Sequence, residues 1–264
     1  METTTIGLVL SGGGYRGIAH AGAIKAFEEF GIIPNHISGT SAGAVVGALY
    51  AANYSPEEIV SFFKKVKIFE FSRYARKKPG WIDTDTFRSF LLFYFPENSF
   101  SALYKKLFVT TTNLLSGKVN VFSTGILVDA LLASASFPGV FSPVIIENGF
   151  YADGGILDNF PIAPVQDCTH CYGVYVSPVS NMETAEFKHS YDVVNRALHL
   201  RMNASSSAKF SECDMVIYPE ALSKYNLFNA KNADELFKIG YSYTWASLES
   251  KKSIMMGLTN ENIT

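Results

Sequence analysis

What most constrains this chain is a unit repeated near its start, in which a short apolar run ends in a glycine-containing turn and a helical pattern follows at once. Residues 5–10 are apolar and rich in β-branched side chains, Gly12-Gly13-Gly14 comes next, and helical periodicity runs from Gly17 to Phe30. The unit recurs: residues 36–40 read as a short buried strand, and residues 42–53 as an alanine-rich helix whose small side chains allow close packing on a sheet. Two successive strand-turn-helix units predict parallel strands, because a parallel pair needs a long crossover that a helix supplies. Further along, residues 106–122 give two strands around Ser116-Gly117, residues 127–135 a helix, and residues 144–152 a hairpin through Asn148-Gly149. Residues 171–176 and 214–218 add buried strands, and residues 191–209 and 233–249 amphipathic helices. The expected fold is α/β with a mainly parallel central sheet. No internal repeat and no Pro/Ser-rich linker interrupts the 264 residues, so a single domain is expected.

A net charge of −2 offers no basic excess for nucleic acid, and 48% hydrophobic with 17% charged residues excludes a disordered chain. That average conceals an asymmetry. Residues 62–108 hold fourteen aromatic residues, ten Lys or Arg and four Asp or Glu, so this stretch stands at +6 and the rest of the chain at −8. Lys64, Lys65, Lys67, Arg73, Arg76, Lys77 and Lys78 interleave with Phe62, Phe63, Phe69, Phe71, Tyr74 and Trp81. The pattern suits an anionic lipid surface and, equally, a helical cap over the core with solvated lysines. Phe90-Leu91-Leu92-Phe93-Tyr94-Phe95 is apolar on all sides and is expected in the core or along an acyl pocket.

The first residues carry no basic n-region, and the longest uncharged stretch, residues 30–56, is broken by Pro34, Asn35, His36 and several glycines. Neither a signal peptide nor a membrane span is expected. With only Cys168, Cys171 and Cys213 and no disulfide framework, a cytoplasmic location is expected, peripheral at a membrane if residues 62–108 face lipid.

Gly12-Gly13-Gly14-Tyr15-Arg16-Gly17 satisfies the letter of a dinucleotide-binding fingerprint, yet residues 37–40 offer no carboxylate for a ribose. The glycine run is therefore either a dinucleotide site or a cradle whose N–H groups meet an anion or oxyanion. Gly39-Thr40-Ser41-Ala42-Gly43 decides between them, since G-x-S-x-G at a strand-to-helix turn lifts a serine hydroxyl out of the sheet. Such a hydroxyl needs a base. His20 falls inside a helix, His36 at a strand start, and His189 and His199 on an amphipathic helix, leaving no late loop histidine for a triad. Asp153, at a strand end and followed by Gly154 and Gly155, is the better candidate, provided its site desolvates it, because an ordinary aspartate is a poor base for a hydroxyl.

Together these three motifs, in this order and spacing, resemble the patatin-like phospholipases. Similarity extends through His20-Ala21-Gly22, Ala135-Ser136-Phe137-Pro138-Gly139 and Asn159-Phe160-Pro161, so it covers residues 5–165 and leaves 166–264 to complete the same domain. The resemblance implies a three-layer α/β/α fold and a Ser-Asp dyad of Ser41 as nucleophile and Asp153 as general base. It implies an oxyanion hole from the backbone of Gly13 and Gly14 with Gly12 shaping the turn, and a loop-holding or substrate-phosphate task for Arg16. The implied substrate is a lipid or other acyl ester, with no cofactor and no metal. Residues 62–108, inserted between Ser41 and Asp153, are then a candidate lid or lipid-facing surface. Cys168-Thr169-His170-Cys171 lacks a second ligand pair at zinc spacing, and Asp83 and Asp85 read as a turn or helix cap. Three other functions remain open: a triad esterase, a nucleotide-binding oxidoreductase and a catalytically silent lipid-binding protein.

Overall fold

The computed structural model describes residues 4–66, 79–227 and 230–261. Strand β1 (Ile6–Leu10) leads through a single 3-10 turn (Gly14–Gly17) into helix α1 (Ile18–Glu29), and β2 (His36–Thr40) leads directly into α2 (Ala42–Ala51). There follow α3 (Pro56–Lys65), α4 (Arg88–Tyr94), β3 (Lys106–Asn113), β4 (Lys118–Phe122) and α5 (Leu127–Ser134). Then come β5 (Val144–Ile146), β6 (Gly149–Asp153), β7 (His170–Val174), α6 (Ser190–Ser207), β8 (Met215–Ile217) and α7 (Ala233–Glu261).

The strands form one sheet in the order β5-β6-β3-β2-β1-β7-β8, with β4 also paired to β3. The pairs β1–β2, β2–β3, β1–β7 and β7–β8 are parallel, and those of β3 with β4, β3 with β6 and β5 with β6 are antiparallel. The sheet is thus mixed, with the parallel part built by the repeated unit. Leu8 and Leu10 of β1 point into a large core that also takes residues of α1, α2, α3, α5 and α7, while Val9 points to the opposite face, against Phe160, Ile162, Val165 and Tyr175. This alternation is what a two-sided sheet demands. The second face is covered largely by 3-10 turns and loops, so the three layers are unequal.

Several elements differ from expectation. The β5–β6 turn sits at Glu147-Asn148 rather than Asn148-Gly149, with Ile146 opposite Gly149 and Glu147 taking φ 51°. Helix α7 reaches Glu261 instead of ending near residue 249. Helix α3 is an addition to the expected elements and starts at a capping box: Ser55 Oγ accepts the Glu58 N–H, the Glu58 carboxylate accepts the Ser55 N–H at 2.8 Å, and Pro56 occupies its first turn.

Of the basic aromatic segment, residues 67–78 lie outside the described residues, among them Lys67, Phe69, Phe71, Arg73, Tyr74, Arg76, Lys77 and Lys78. In the described part, Phe62, Phe63, Leu91, Tyr94, Phe95 and Phe100 belong to the main core. Lys64 pairs with Asp234, Arg88 with Asp129 and Asp85, and Lys105 donates to Asn53. Asp83 caps the 3-10 turn at Thr84–Phe87, as expected.

Candidate active site

The site is placed by an unusual register on β3. Strand β2 pairs with its first half, Thr40 lying opposite Thr110, and β6 pairs with its second half, Asp153 lying opposite Thr111. Strand β4 pairs with residues 109–113, so it must hold the other edge, and β2 and β6 meet end to end on one edge. The residue after Thr40 and the last residue of β6 are thereby brought together, although 112 positions separate Ser41 from Asp153.

Ser41 stands at this junction with φ 53° and ψ −123°, a left-handed backbone that a non-glycine residue adopts only when its surroundings enforce it. Three contacts enforce it. Its N–H donates to Ser134 Oγ at 2.8 Å, Ser134 Oγ donates in turn to the Thr110 carbonyl at 2.6 Å, and α2 behind it is buried along its whole length. A side chain at Gly43 would run into the Leu10 carbonyl, and one at Gly39 into the Gly43 backbone, so the elbow closes only with both glycines. The Ser41 hydroxyl does not cap α2 and is left for other use.

Asp153 is 2% exposed. Its N–H donates to the Ser136 carbonyl at 3.0 Å, its carbonyl accepts from Thr112 Oγ1 at 3.0 Å, and its Oδ1 accepts the Gly155 N–H at 2.8 Å. Gly154 is pressed against Thr110. Burial raises the Asp153 pKa to about 6, against the pull of hydrogen bonds from the Ser41 side chain and the Gly155 N–H. The desolvation that the sequence required of this aspartate is present.

The glycine run forms the third wall. It is anchored at Ser11, whose N–H donates to the Val174 carbonyl at 3.1 Å, whose Oγ accepts the Val176 N–H at 2.9 Å and whose carbonyl meets His20 Nε2 at 2.8 Å. His20 is fully buried and its pKa is lowered to about 4 by desolvation, so it is neutral and donates from Nε2. Ser177 Oγ donates to the Gly12 carbonyl at 2.7 Å, and Gly14, at φ 55°, lets the chain turn against the Leu227 carbonyl, which accepts the Tyr15 N–H at 2.8 Å. Among the described residues the N–H groups of Gly12, Gly13 and Gly14 have no acceptor.

Arg16 is buried and donates from Nε to the Tyr225 carbonyl at 2.8 Å and from Nη2 to the Ser223 carbonyl at 3.2 Å. It straps the glycine run to the C-terminal region. Of the two tasks expected for it, holding the loop accords with these bonds, and it is absent from the cavity lining.

A cavity of about 160 Å³ opens over Gly13, Ser41, Asp153 and Asn159. Its walls are apolar: Phe62, Phe63, Phe87, Phe90, Phe137 and Phe141 contribute rings. Four of these six come from residues 62–108, so this part of the segment lines the cavity as well as the core. Helix α6 crosses the cavity with His199 and Met202 and exposes Val193 and Val194 to solvent. His199 lies beside Phe137, and burial lowers its pKa to about 4. The other late histidines are elsewhere: His189 precedes α6, and His170 sits at the start of β7 near Asp214. Among the described residues no cluster could hold a metal ion, and Cys171 faces Cys213 at 3.7 Å between sulfurs.

Two cavity features escaped the sequence reading. Asn159 appeared there only as part of a similar segment, and the aromatic wall only as bulk hydrophobicity. Neither carries a local spacing signal, because the contributing residues come from α3, α4 and loops far apart in sequence.

Against known proteins, the patatin-like phospholipase family model matches residues 8–165. Lysophospholipase NTE1 of Scheffersomyces stipitis is 32% identical over 176 residues, 63% of this chain and 11% of that protein. Lysophospholipase nte1 of Emericella nidulans is 26% identical over 283 residues, 94% of this chain and 18% of that protein. This chain thus spans less than a fifth of the length of either relative. VipD from Legionella pneumophila shares the fold, with a TM-score of 0.67 and 18% identity over 94% of this chain and 67% of that one. The matched stretch contains the glycine run, the Ser41 elbow and Asp153, and this chain belongs to the patatin-like phospholipase family.

Proposed function

We propose that the protein is a lipid acyl hydrolase using Ser41 and Asp153 as a catalytic dyad. The observation that carries this reading is the meeting of β2 and β6 on β3, which sets a strained serine beside a buried aspartate whose pKa is raised to about 6. Asp153 takes the hydroxyl proton as Ser41 Oγ attacks the ester carbonyl carbon. The carbonyl oxygen becomes an oxyanion facing the Gly13 and Gly14 N–H groups, and Gly12 shapes the approach. Collapse of the tetrahedral intermediate breaks the ester C–O bond, the alcohol leaves with the proton held by Asp153, and water then hydrolyses the acyl-enzyme by the same proton path.

The substrate class follows from the cavity and the relatives. Its aromatic walls suit an acyl chain, and relatives named lysophospholipase point to phospholipid or lysophospholipid esters. Contact with a membrane surface through residues 62–108 rests on Trp81, 72% exposed, and Phe93, 78% exposed. In liposome sedimentation, Trp81→Ala with Phe93→Ala should reduce the bound fraction; unchanged sedimentation would remove this surface from the proposal. Among the described residues no helix is long and apolar enough to cross a membrane.

The central experiment compares wild type with Ser41→Ala on a p-nitrophenyl acyl ester, a lysophospholipid panel and a fluorophosphonate label. Hydrolysis and labelling should both vanish in the variant while its thermal unfolding stays cooperative. Retained hydrolysis in Ser41→Ala overturns the dyad; a wild type that neither hydrolyses nor labels is instead a silent lipid-binding protein.

A further inference from the structure

Asn159 is 1% exposed and lines the cavity, yet among the described residues neither its Oδ1 nor its Nδ2 has a hydrogen-bond partner. A buried amide left in this state costs about 1–3 kcal/mol for each unpaired group, and such a group calls for a specific explanation. Its position is fixed from both sides. The Asp158 carbonyl accepts Thr40 Oγ1 at 2.9 Å and the Asp158 carboxylate accepts Lys209 Nζ at 2.7 Å, while Phe160 is fully buried in the second core. The carboxamide is therefore held in place by its chain neighbours and not by a well-formed hydrogen bond of its own. On its inner side lies the buried Tyr175 hydroxyl, within interaction range of the carboxamide and of Ser206 but without a well-formed hydrogen bond to either.

The end of the carboxamide points at the reaction centre. A methyl group at Gly12 would lie 2.5 Å from Asn159 Oδ1 and 3.2 Å from Ser41 Cβ, so the amide and the serine converge on one point of the glycine run. No well-formed hydrogen bond fixes which end of the amide faces Ser41, and the Tyr175 hydroxyl can accept from Nδ2 or donate to Oδ1, so a half-turn exchanging the two lets the site present N–H where the recorded atom is oxygen.

Building on the dyad proposed above, we infer that Asn159 is a side-chain donor of the oxyanion cradle, its Nδ2–H pairing with the ester carbonyl oxygen as that oxygen gains charge. A neutral amide suits this place better than a cation. It donates to developing charge without drawing down the proton affinity of the adjacent Asp153, which must accept the serine proton. The bond is made in the transition state more than in the ground state, so its loss should appear in kcat.

The test uses the whole chain with Asn159→Ala and the similarly branched Asn159→Leu, each measured for kcat and KM on a p-nitrophenyl acyl ester, for the rate of fluorophosphonate labelling, and for thermal unfolding. Loss of one oxyanion donor should lower kcat about 10²–10³-fold, slow labelling in parallel, leave KM within about threefold and leave the melting temperature unchanged or higher. If Asn159→Ala fails to fold, Asn159→Leu decides, since it keeps the branching with no polar atom. A folded variant with kcat within about threefold of wild type overturns the assignment, and Asn159 then only houses an internal water. Wild-type hydrolysis that survives Ser41→Ala overturns the dyad itself; wild-type rates in the Asn159 variants of a protein silenced by Ser41→Ala overturn Asn159 alone.

Discussion

Helices α2 and α6 face the same cavity and are held in opposite ways. Every residue of α2 is buried, from Ala42 to Ala51, and the helix fills the angle between the sheet and α3. Of the eighteen residues of α6 only Met202 and Ser206 are buried, and Val194 remains 65% exposed. One helix carries the proposed nucleophile, Ser41, at its N-terminus, and the other reaches the cavity by His199 and Met202 alone. The difference shows where precision is needed. In the function proposed above, proton transfer and oxyanion capture tolerate little displacement, which accords with the burial of Asp153 and α2, whereas a wall against a hydrocarbon chain would need only apolar surface.

The largest effect expected on the rigid side comes from Asp153→Asn, which should lower kcat by about 10²–10⁴-fold, the usual range for losing a general base. Its stability effect has the opposite sign. The folded pKa, about 6, lies above the ordinary aspartate value of 3.8, so this group's stabilising contribution is fully present below pH 4 and is lost as pH rises through 6. At pH 7 the ionised, buried carboxylate costs the fold about 3 kcal/mol, and removing its charge should raise the melting temperature there but not near pH 4. In the wild type, kcat/KM should climb about tenfold per pH unit below pH 6 and level off above it. A flat profile between pH 5 and 7 would break the link between burial and basicity.

Next in size is a paired substitution that tests the contrast directly. Leu49→Ala in α2, at a fully buried position, should cost about 2–5 kcal/mol in denaturant unfolding, while Leu200→Ala in α6, 47% exposed, should stay within about 0.5 kcal/mol. Equal costs would mean that α6 is packed more firmly than its exposure shows. The smallest effect belongs to His199→Ala. With its imidazole neutral and the Asp153 carboxylate already hydrogen-bonded to Ser41, the change should alter kcat on a short acyl ester by less than about tenfold. A loss of 10³-fold would turn the site into a histidine triad.

Local chemistry made the rigid half legible. The elbow at Ser41 and the base loop at Asp153 are written in glycines that the backbone needs within a few positions, and β1, β2, α1 and α2 follow from period and small side chains. What stayed hidden depends on distance. Arg16 is bonded to carbonyls 207 and 209 residues away, and no local pattern announces such a strap. The segment 62–108 reads as basic and aromatic in composition, but which rings face the cavity depends on how α3 and α4 pack. The mixed character of the sheet arises at β3, where β6 enters antiparallel beside a parallel neighbour, an arrangement that strand periodicity alone does not encode.

The end-to-end meeting of β2 and β6 has an engineering consequence. Spacing between Ser41 and Asp153 is dictated by consecutive rungs of a single strand, Thr110 and Thr111, and not by the segment that leads from α2 to that strand. Length and content of the segment before β3 can therefore change, through insertion at its surface turns or exchange of its cavity-lining rings, without moving the proposed nucleophile and base apart. On the proposed function, specificity and chemistry are separately adjustable in such a frame: acyl preference would be redesigned along the part of residues 62–108 that precedes β3 while Ser41 and Asp153 keep their places.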